Sequence, residues 1–351
     1  MSAPSPAVDS PIVDILDVGH GSCVVVRSGG EVLLIDAGPG GAILEYLRIE
    51  GITHINTIII SHADADHIGG VSAILGQKEL RVDRIVWNGD SLKQSTLWKN
   101  LVYQLADLQD QGRAAAEQNA HDGLCLKVGN MQDVEVRILA PGLILRQLGA
   151  GSSLQDGRSI SSNAVSVVAQ VVVAGEPLLL VPGDLDSLGY ELLAKSSYGS
   201  RVKAKYMVLP HHGGLLGTPA QTSETITSFV TAVGPELVFI SNGRGKFNNP
   251  RQDVINAVRS AGASVPIVCT QIAENCAVKE LVQLTVEEPY SVGWTRGYSC
   301  QGTTRLSIGN GIDAPLNRSR HLAFLASAVP GRICASSSAL TEQDQPPESV
   351  S

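Results

Sequence analysis

Residues 58–70 constrain the fold more than any other stretch, because an apolar run is followed at once by residues that can bind metal. Three consecutive isoleucines, typical of a buried strand, end at residue 60. The four potential ligands that follow are His62, Asp64, Asp66 and His67. Imidazole nitrogens and carboxylate oxygens together suit divalent first-row metals. The sequence therefore predicts a metal site on the loop where this strand ends, where binding residues usually lie.

Composition excludes several classes of protein. The chain has 351 residues, which fits one large domain or one domain with an extension. Its formal net charge is −8 at pH 7, so it lacks the global basic field of a non-specific nucleic-acid binder. We expect no signal peptide, because no charged segment precedes an apolar one at the start of the chain. We expect no membrane partner, because no apolar stretch is long enough to span a bilayer. The six cysteines are sparse for this length, and we expect a cytoplasmic protein.

The chain alternates short apolar runs with helical patterns, which predicts a layered α/β protein. We predict a disordered N-terminus over residues 1–10, one folded domain over 11–289, a Cys-containing extension over 290–335 and a disordered tail over 336–351. Residues 145–162 are rich in Gly and Ser and are predicted as a loop.

Two further apolar runs also end in ligand-type residues. Asp184 follows the run at residues 178–181, and His211 and His212 follow the run at residues 207–209. Strand ends on one edge of a layered α/β protein gather into one site. We therefore expect these side chains to converge with the first motif.

The order of these motifs resembles the metallo-β-lactamase fold, and more closely the soluble nuclease-like domain of the ComEC type of bacterial competence protein. The motifs that carry the resemblance are residues 17–21, the Ile-Asp-Ala-Gly turn that contains Asp36, and residues 61–70, 162–166, 182–185 and 210–213. The resemblance covers about residues 10–290. It implies an α/β fold of the four-layer αββα sandwich type with a dinuclear metal site.

The resemblance also implies roles for the candidate ligands. His62 and Asp64 would hold the first metal, Asp66 and His67 the second, Asp184 would bridge both, and His212 or alternatively His211 would complete the second site. Two cations sharing a hydroxide can drive displacement at phosphorus. Asp66, Asp184 and His211 are the catalytic candidates, because the non-ligating histidine could stabilise charge or protonate the leaving oxygen.

The chain departs from the family pattern at three positions. Asp64 stands where typical lactamase-fold hydrolases carry His, and only Asn163 matches a further His. These oxygen ligands favour Mn²⁺ or Mg²⁺ relative to Zn²⁺, and β-lactam hydrolysis is not expected. We expect two divalent ions, Mn²⁺ or Zn²⁺, with Mg²⁺ as a further option. Asn249 replaces the His of a late Gly-His-Pro motif.

Several residues outside the ligand set are candidates for other roles. The candidates for substrate binding are Asn163, Arg244, Lys246 and Asn249, with Arg251 as a further basic neighbour. The basic residues could bind phosphate oxygens, or they could form an ordinary solvated loop. We expect Asp36 to be a buried carboxylate that accepts backbone N–H groups and orients His ligands. His20 could contact the substrate or be a plain loop residue.

The cysteines raise a separate possibility. Cys269, Cys276 and Cys300 with His321 could form a structural zinc site that tethers the extension. Their spacing lacks the C-x-x-C pattern, and buried free thiols are the alternative.

Taken together, the sequence favours a metal-dependent phosphodiesterase or nuclease acting on nucleic acid. One alternative is a hydrolase of a small phosphodiester, such as a phosphorylcholine ester or a cyclic nucleotide, which the acidic balance favours. Another is a non-enzymatic module that docks a protein partner in a bacterial defence-like assembly. The sequence leaves the oligomeric state open.

Overall fold

Two mixed β-sheets form the centre of the computed structural model, which describes residues 10–88, 90, 92–129, 134–278, 290–307 and 318–335. Within these residues each sheet has seven strands. The first sheet contains β1 (Ile12–Ile15), β2 (Val24–Ser28), β3 (Glu31–Ile35), β4 (His54–Ile60), β5 (Arg81–Trp87), β6 (Ala115–Glu117) and β14 (Thr304–Ser307), in the order β14-β1-β2-β3-β4-β5-β6. The second contains β7 (Cys125–Lys127), β8 (Val134–Ala140), β9 (Val168–Val173), β10 (Glu176–Val181), β11 (Tyr206–Val208), β12 (Leu237–Ile240) and β13 (Ile267–Cys269), in the order β13-β12-β11-β10-β9-β8-β7.

Helices cover the outer face of both sheets. The described helices are α1 (Ala42–Ile49), α2 (Ala65–Leu75), α3 (Thr96–Asp110), α4 (Leu143–Leu148), α5 (Ser187–Lys195), α6 (Pro219–Val233), α7 (Gln252–Ala261), α8 (Val292–Arg296) and α9 (Arg318–Ala328). Tyr46 and Leu101 pack helices α1 and α3 against the first sheet. Phe229 and Val258 pack α6 and α7 against the second sheet. The predicted four-layer αββα sandwich is confirmed.

Strand β4 shows why the isoleucine run is apolar on both faces. Ile58 packs under the outer helices, whereas Ile59 lies between the two sheets, and both are fully buried. Successive side chains on a strand point to opposite faces, so a strand covered on both sides needs a continuous apolar run. β4 is parallel to β3 and β5, and β10 is parallel to β11. The carboxyl ends of these strands carry the candidate ligands.

The metal motif differs from the expected loop, because a helix begins inside it. α2 starts at Ala65 with Asp64 as the preceding cap residue, so Asp66 and His67 lie in the first helical turn. An acidic side chain is favourable at this end of a helix, where free backbone N–H groups leave positive charge. The sequence pattern predicts a loop at these residues and does not indicate that helix α2 begins at Ala65.

The C-terminal extension completes the first sheet. β14 pairs antiparallel with β1, and Arg305 makes two hydrogen bonds of 2.8 and 2.9 Å to Asp14. Asp17, fully buried, accepts from Ser291 Oγ at 2.6 Å and from the N–H of Gly293 at 2.7 Å. Residues 290–307 are therefore integral to the sandwich.

Other predictions on local structure have mixed outcomes. Helix α4 begins at Leu143, just before the predicted loop at 145–162, and continues into its first residues. Leu145 is the one buried apolar side chain of this helix. The predicted disordered ends lie outside the described residues, except for residue 10. Among the described residues, no helix combines the length and apolar character needed to cross a bilayer.

Candidate metal centre

Four of the predicted ligands meet in one group. Ligand atoms of Asp66, His67, Asp184 and His212 all lie within 4.8 Å of one another, and we call this group the His/Asp cluster. Asp184 Oδ1 lies 3.1 Å from His67 Nε2 and 3.4 Å from His212 Nε2. His212 Nε2 lies 3.6 Å from Asp66 Oδ2. The start of α2 and the ends of β10 and β11 thus bring residues from both halves of the chain together.

The second oxygen of Asp184 faces a different set of side chains. Asp184 Oδ2 lies 3.6 Å from His62 Nε2 and 3.7 Å from His211 Nε2. His62 Nε2 is in turn 3.8 Å from Asp64 Oδ2. One carboxylate therefore stands between two groups of possible ligands, and His211 lies on the side of His62.

Hydrogen bonds from Nδ1 orient three of the histidines. His67 Nδ1 lies 2.7 Å from Asp36 Oδ2, and Asp36 also accepts from the N–H of Ser61 at 2.7 Å. His212 Nδ1 is 2.7 Å from the carbonyl of Ser241, and His211 Nδ1 is 2.7 Å from the carbonyl of Leu215. Such bonds turn Nε2 toward a bound cation. The expectation that Asp36 is buried and orients a histidine is confirmed.

The backbone at these positions is unusual. Asp36, His211 and His212 have φ angles of 60°, 52° and 55°, in the left-handed region that non-glycine residues seldom adopt. Gly183, with φ of 55°, precedes Asp184, and a Cβ there would lie 2.4 Å from Ser166 Oγ. Strain of this kind is concentrated at functional sites.

The donor set fits a divalent cation. The Nε2 atoms of His62 and His212 are buried and have no hydrogen-bond partner within the described residues. A buried polar atom without a partner costs free energy, and a cation would satisfy these lone pairs. Imidazole and carboxylate ligands are the types that Mn²⁺ and Zn²⁺ accept.

The buried histidines differ in protonation. Burial alone would lower the pKa of His67, but Asp184 and Asp36 outweigh it and raise that pKa well above its usual value. Burial lowers the pKa of His62, and burial lowers the pKa of His212 to about 4, so both are neutral at neutral pH. Burial alone would raise the pKa of Asp184, but the neighbouring His67 outweighs it and holds that pKa well below its usual range. Asp184 is therefore ionised, which is the state in which a carboxylate can bind a cation.

Comparison with known proteins agrees with this geometry. Residues 16–104 match the model of the metallo-beta-lactamase superfamily. The chain has the metallo-β-lactamase fold. This metallo-β-lactamase-fold chain is 30% identical over 258 residues to "Competence protein ComA" of Neisseria gonorrhoeae, covering 71% of the chain and 30% of that protein. It is 24% identical over 269 residues to "ComE operon protein 3" of Bacillus subtilis (strain 168), covering 70% of the chain and 30% of that protein.

A solved structure is also similar. The metallo-beta-lactamase fold protein YhfI from Bacillus subtilis aligns with a TM-score of 0.46 and 11% identity, covering 74% of the chain and 96% of YhfI. The chain spans about 30% of the length of the two competence relatives.

The predicted substrate-binding residues of this metallo-β-lactamase-fold chain occupy varied positions. Arg244 donates to the carbonyls of Ile272 and Ala273 at 3.1 and 3.0 Å, and Arg251 pairs with Asp253 at 2.9 Å. Lys246 Nζ lies 5.1 Å from the ring centroid of Phe247.

The two asparagines proposed for substrate binding also differ in position. Asn249 is buried with its amide against Gly214, where a Cβ would lie 3.0 Å from Asn249 Nδ2. Asn163 is half-buried, in the turn that precedes β9, and its carbonyl accepts from the N–H of Ser166 at 3.1 Å. A substrate-binding role for both residues stays a prediction.

Sequence reasoning missed two neighbours of the ligands and underrated a third. Lys93 contacts the carboxylate of Asp64, although it lies in a polar stretch with no motif. The Phe247 ring lies beside that of His20, with centroids 4.9 Å apart and the ring planes tilted by 52°. His20, considered only as a possible substrate contact, has its Nε2 3.1 Å from Asp66 Oδ2.

The proposed structural zinc residues are near one another without converging. Cys269, Cys276 and Cys300 line one small cavity with Cys334, and His321 Nε2 is 3.6 Å from Cys300 Sγ. In the described part of the chain their ligand atoms do not form a group as close as the His/Asp cluster. Burial raises the pKa of the Cys269 and Cys300 thiols well above the usual range, which favours neutral thiols. The zinc site stays a prediction.

Proposed function

We propose that this protein is a metal-dependent phosphodiesterase that cleaves nucleic acid. The observation that carries the proposal is the position of Asp184, whose two oxygens face two groups of possible ligands. A carboxylate between two cations is the arrangement that two-metal phosphodiesterases use. The names of the two relatives, "Competence protein ComA" and "ComE operon protein 3", agree with the ComEC-type resemblance of the sequence motifs.

The ligands are assigned as follows. His62 and Asp64 would hold one ion, Asp66, His67 and His212 the other, and Asp184 both. When bound, such ions supply Lewis-acid stabilisation and an activated water at neutral pH. We propose two ions, with Mn²⁺ or Zn²⁺ as the native metal and Mg²⁺ as a further option.

His211 differs from the other histidines because it is partly open to solvent. Its side chain is 32% exposed, and its Nε2 points toward Asp184. In the proposed mechanism His211 stabilises negative charge on the phosphate or passes a proton to the leaving oxygen. Its Nδ1 bond to the carbonyl of Leu215 fixes the ring for this role.

A second candidate function is hydrolysis of a small phosphodiester. Two of the three basic residues expected near the substrate, Arg244 and Arg251, are engaged within the protein. The net charge of −8 also opposes the approach of long polyanions. Both observations favour a short substrate over duplex DNA.

The test measures cleavage of single-stranded DNA, double-stranded DNA and a small phosphodiester with Mn²⁺, Mg²⁺ or Zn²⁺. The variant is Asp184→Asn, and the matched control is Asp186→Asn, because Asp186 caps helix α5 and is not among the ligands. DNA cleavage lost only in Asp184→Asn supports the nuclease. Cleavage of only the small ester supports the second candidate. Inactivity of the wild type on every substrate would argue against an autonomous enzyme and favour a binding module.

A further inference from the structure

We infer that Phe247 is a platform on which a nucleic-acid base stacks beside the metal centre. The inference rests on the proposed function and deepens it, because it names the part of the substrate that the protein recognises. It assigns single-stranded nucleic acid, with bases free to leave their own stack, as the substrate class.

The first observation is the exposure of the Phe247 ring. Phe247 is 69% exposed, although large apolar side chains are normally buried. Its φ is 60° and that of Asn248 is 51°, so two successive residues adopt the left-handed conformation. A bulky residue held at positive φ is an outlier, and such outliers are concentrated at ligand-binding sites. The loop thus presents the ring to solvent at a conformational cost.

The second observation is the position of the ring beside the proposed ligands. The Phe247 ring centroid lies 4.9 Å from that of His20, and the His20 ring is 4.5 Å from that of His212. His20 Nε2 also lies 3.1 Å from Asp66 Oδ2. Two ring contacts therefore connect the exposed aromatic face to the His/Asp cluster. A base attached next to a phosphate at the metal centre lies on this side of the site.

The third observation is the chemistry around the ring. Lys246 Nζ lies over the Phe247 ring, 5.1 Å from its centroid. A base stacking on that face would displace this ammonium group, which could then bind the adjoining backbone phosphate.

A groove of about 480 Å³ continues from Phe247 and is lined by the Arg251–Asp253 ion pair and by four amide side chains. Gln252 donates to Asn256 at 3.0 Å and Asn275 donates to two backbone carbonyls, so part of the amide capacity is used within the protein. Amides can donate to and accept from the edges of an unpaired base. The groove suits a base better than a run of phosphates.

Stacking on an aromatic ring requires the base to be unpaired. Proteins that bind single strands combine aromatic platforms with a few cations, and every base offers a face for stacking. A duplex keeps its bases stacked on one another. Phe247 therefore favours a single strand or a frayed end.

The test compares two single strands of equal length and equal phosphorothioate backbone, one oligothymidylate and one abasic. Affinity is measured by fluorescence anisotropy for the wild type, Phe247→Ala, Phe247→Trp and the control Tyr103→Ala. Tyr103 is 73% exposed on helix α3, which contributes none of the proposed ligands. We expect Phe247→Ala to weaken binding of the base-bearing strand about tenfold and to leave the abasic strand unchanged. Phe247→Trp should retain the affinity, and Tyr103→Ala should match the wild type.

The results separate this inference from the proposed function. Equal affinity of the wild type for both strands, no measurable binding of either, or no effect of Phe247→Ala would overturn the inference. Base-dependent binding that is lost in Phe247→Ala supports it even when normal DNA is not cleaved, in which case only the nuclease proposal fails. Conversely, the proposed nuclease stands and the inference about Phe247 fails if normal DNA is cleaved and neither Phe247→Ala nor abasic substitution changes the cleavage.

Discussion

The imidazole of His67 lies with its Nδ1 2.7 Å from Asp36 Oδ2, and both side chains are fully buried. Asp36 is held in turn by the N–H and the hydroxyl of Ser61, each at 2.7 Å. This carboxylate therefore fixes the ring of a proposed ligand through a bond that the metal does not touch. Partners of this kind contribute to metal affinity as well as to geometry.

Asp36→Asn tests that contribution. Asn tolerates the φ of 60° at this position, so the backbone should be retained. The loss of negative charge behind His67 should weaken Mn²⁺ binding about tenfold, since such partners typically contribute ten- to hundredfold. Calorimetric titration with Mn²⁺ measures the change, and circular dichroism checks the fold. Wild-type affinity in a folded variant would contradict the role of Asp36.

Lys93 tests the charge balance of the first ligand pair. Its ammonium group contacts the carboxylate of Asp64, and a positive charge there repels a cation. Lys93→Met should therefore raise affinity for the ion held by His62 and Asp64 by about tenfold. The amount of Mn²⁺ bound per protein at a sub-saturating free Mn²⁺ concentration reports this affinity. The charge-matched control is Lys99→Met, because Lys99 is an exposed lysine of helix α3. The prediction is wrong when both variants bind the same amount of metal.

Gly183 sets the position of Asp184 through its backbone. A Cβ there would lie 2.4 Å from Ser166 Oγ, and φ is 55°. Gly183→Ala should lower the free energy of unfolding by about 3 kcal/mol, from backbone strain and overpacking together. The control is Gly175→Ala, because Gly175 has φ of 83° and nothing within 4 Å of its Cβ position. That variant should lose only about 1 kcal/mol. Equal losses in thermal unfolding would exclude the close approach as the cause.

His321 makes the protein sensitive to acid. Burial, together with the nearby Arg332, lowers the pKa of His321 to about 4 from its ordinary 6.5. Between these values the unfolded chain binds more protons than the folded chain, so stability falls as the pH drops through this window. Across the whole window, the free energy of unfolding falls by up to about 3 kcal/mol. Melting temperatures of the wild type and of His321→Gln, measured in chelator between pH 7 and pH 5, report the part of this loss that falls in that range. A wild-type decrease no larger than that of the variant would refute the prediction.

The parts of this structure that sequence could predict are those with a local pattern. The strand run at 58–60 and the ligands after it stand together in sequence, and the strand-end pattern also marked Asp184 and His212. The apolar runs predicted a layered α/β protein, and the four-layer sandwich followed from the resemblance to the metallo-β-lactamase fold. Candidate metal ligands could therefore be predicted wherever they directly follow a strand in the sequence.

The parts that were missed depend on contacts distant in sequence. Lys93 has no motif, and only tertiary packing brings it to Asp64. Phe247 resembles an ordinary loop residue until its φ and its contact with His20 are known. Strand β14 has four residues and only one fully buried apolar side chain, Leu306, so its pattern is too short to indicate an edge strand.

The position of β14 has a consequence for protein synthesis. Its residues, 304–307, are made long after those of β1, yet they pair with β1 and bring Arg305 to the buried carboxylate of Asp14. Until they emerge from the ribosome, β1 has an open edge and Asp14 lacks this partner. An open strand edge invites pairing with another chain. Nascent chains are therefore exposed to aggregation from the time β1 emerges until β14 has been made, and a pause before residue 304 prolongs that exposure.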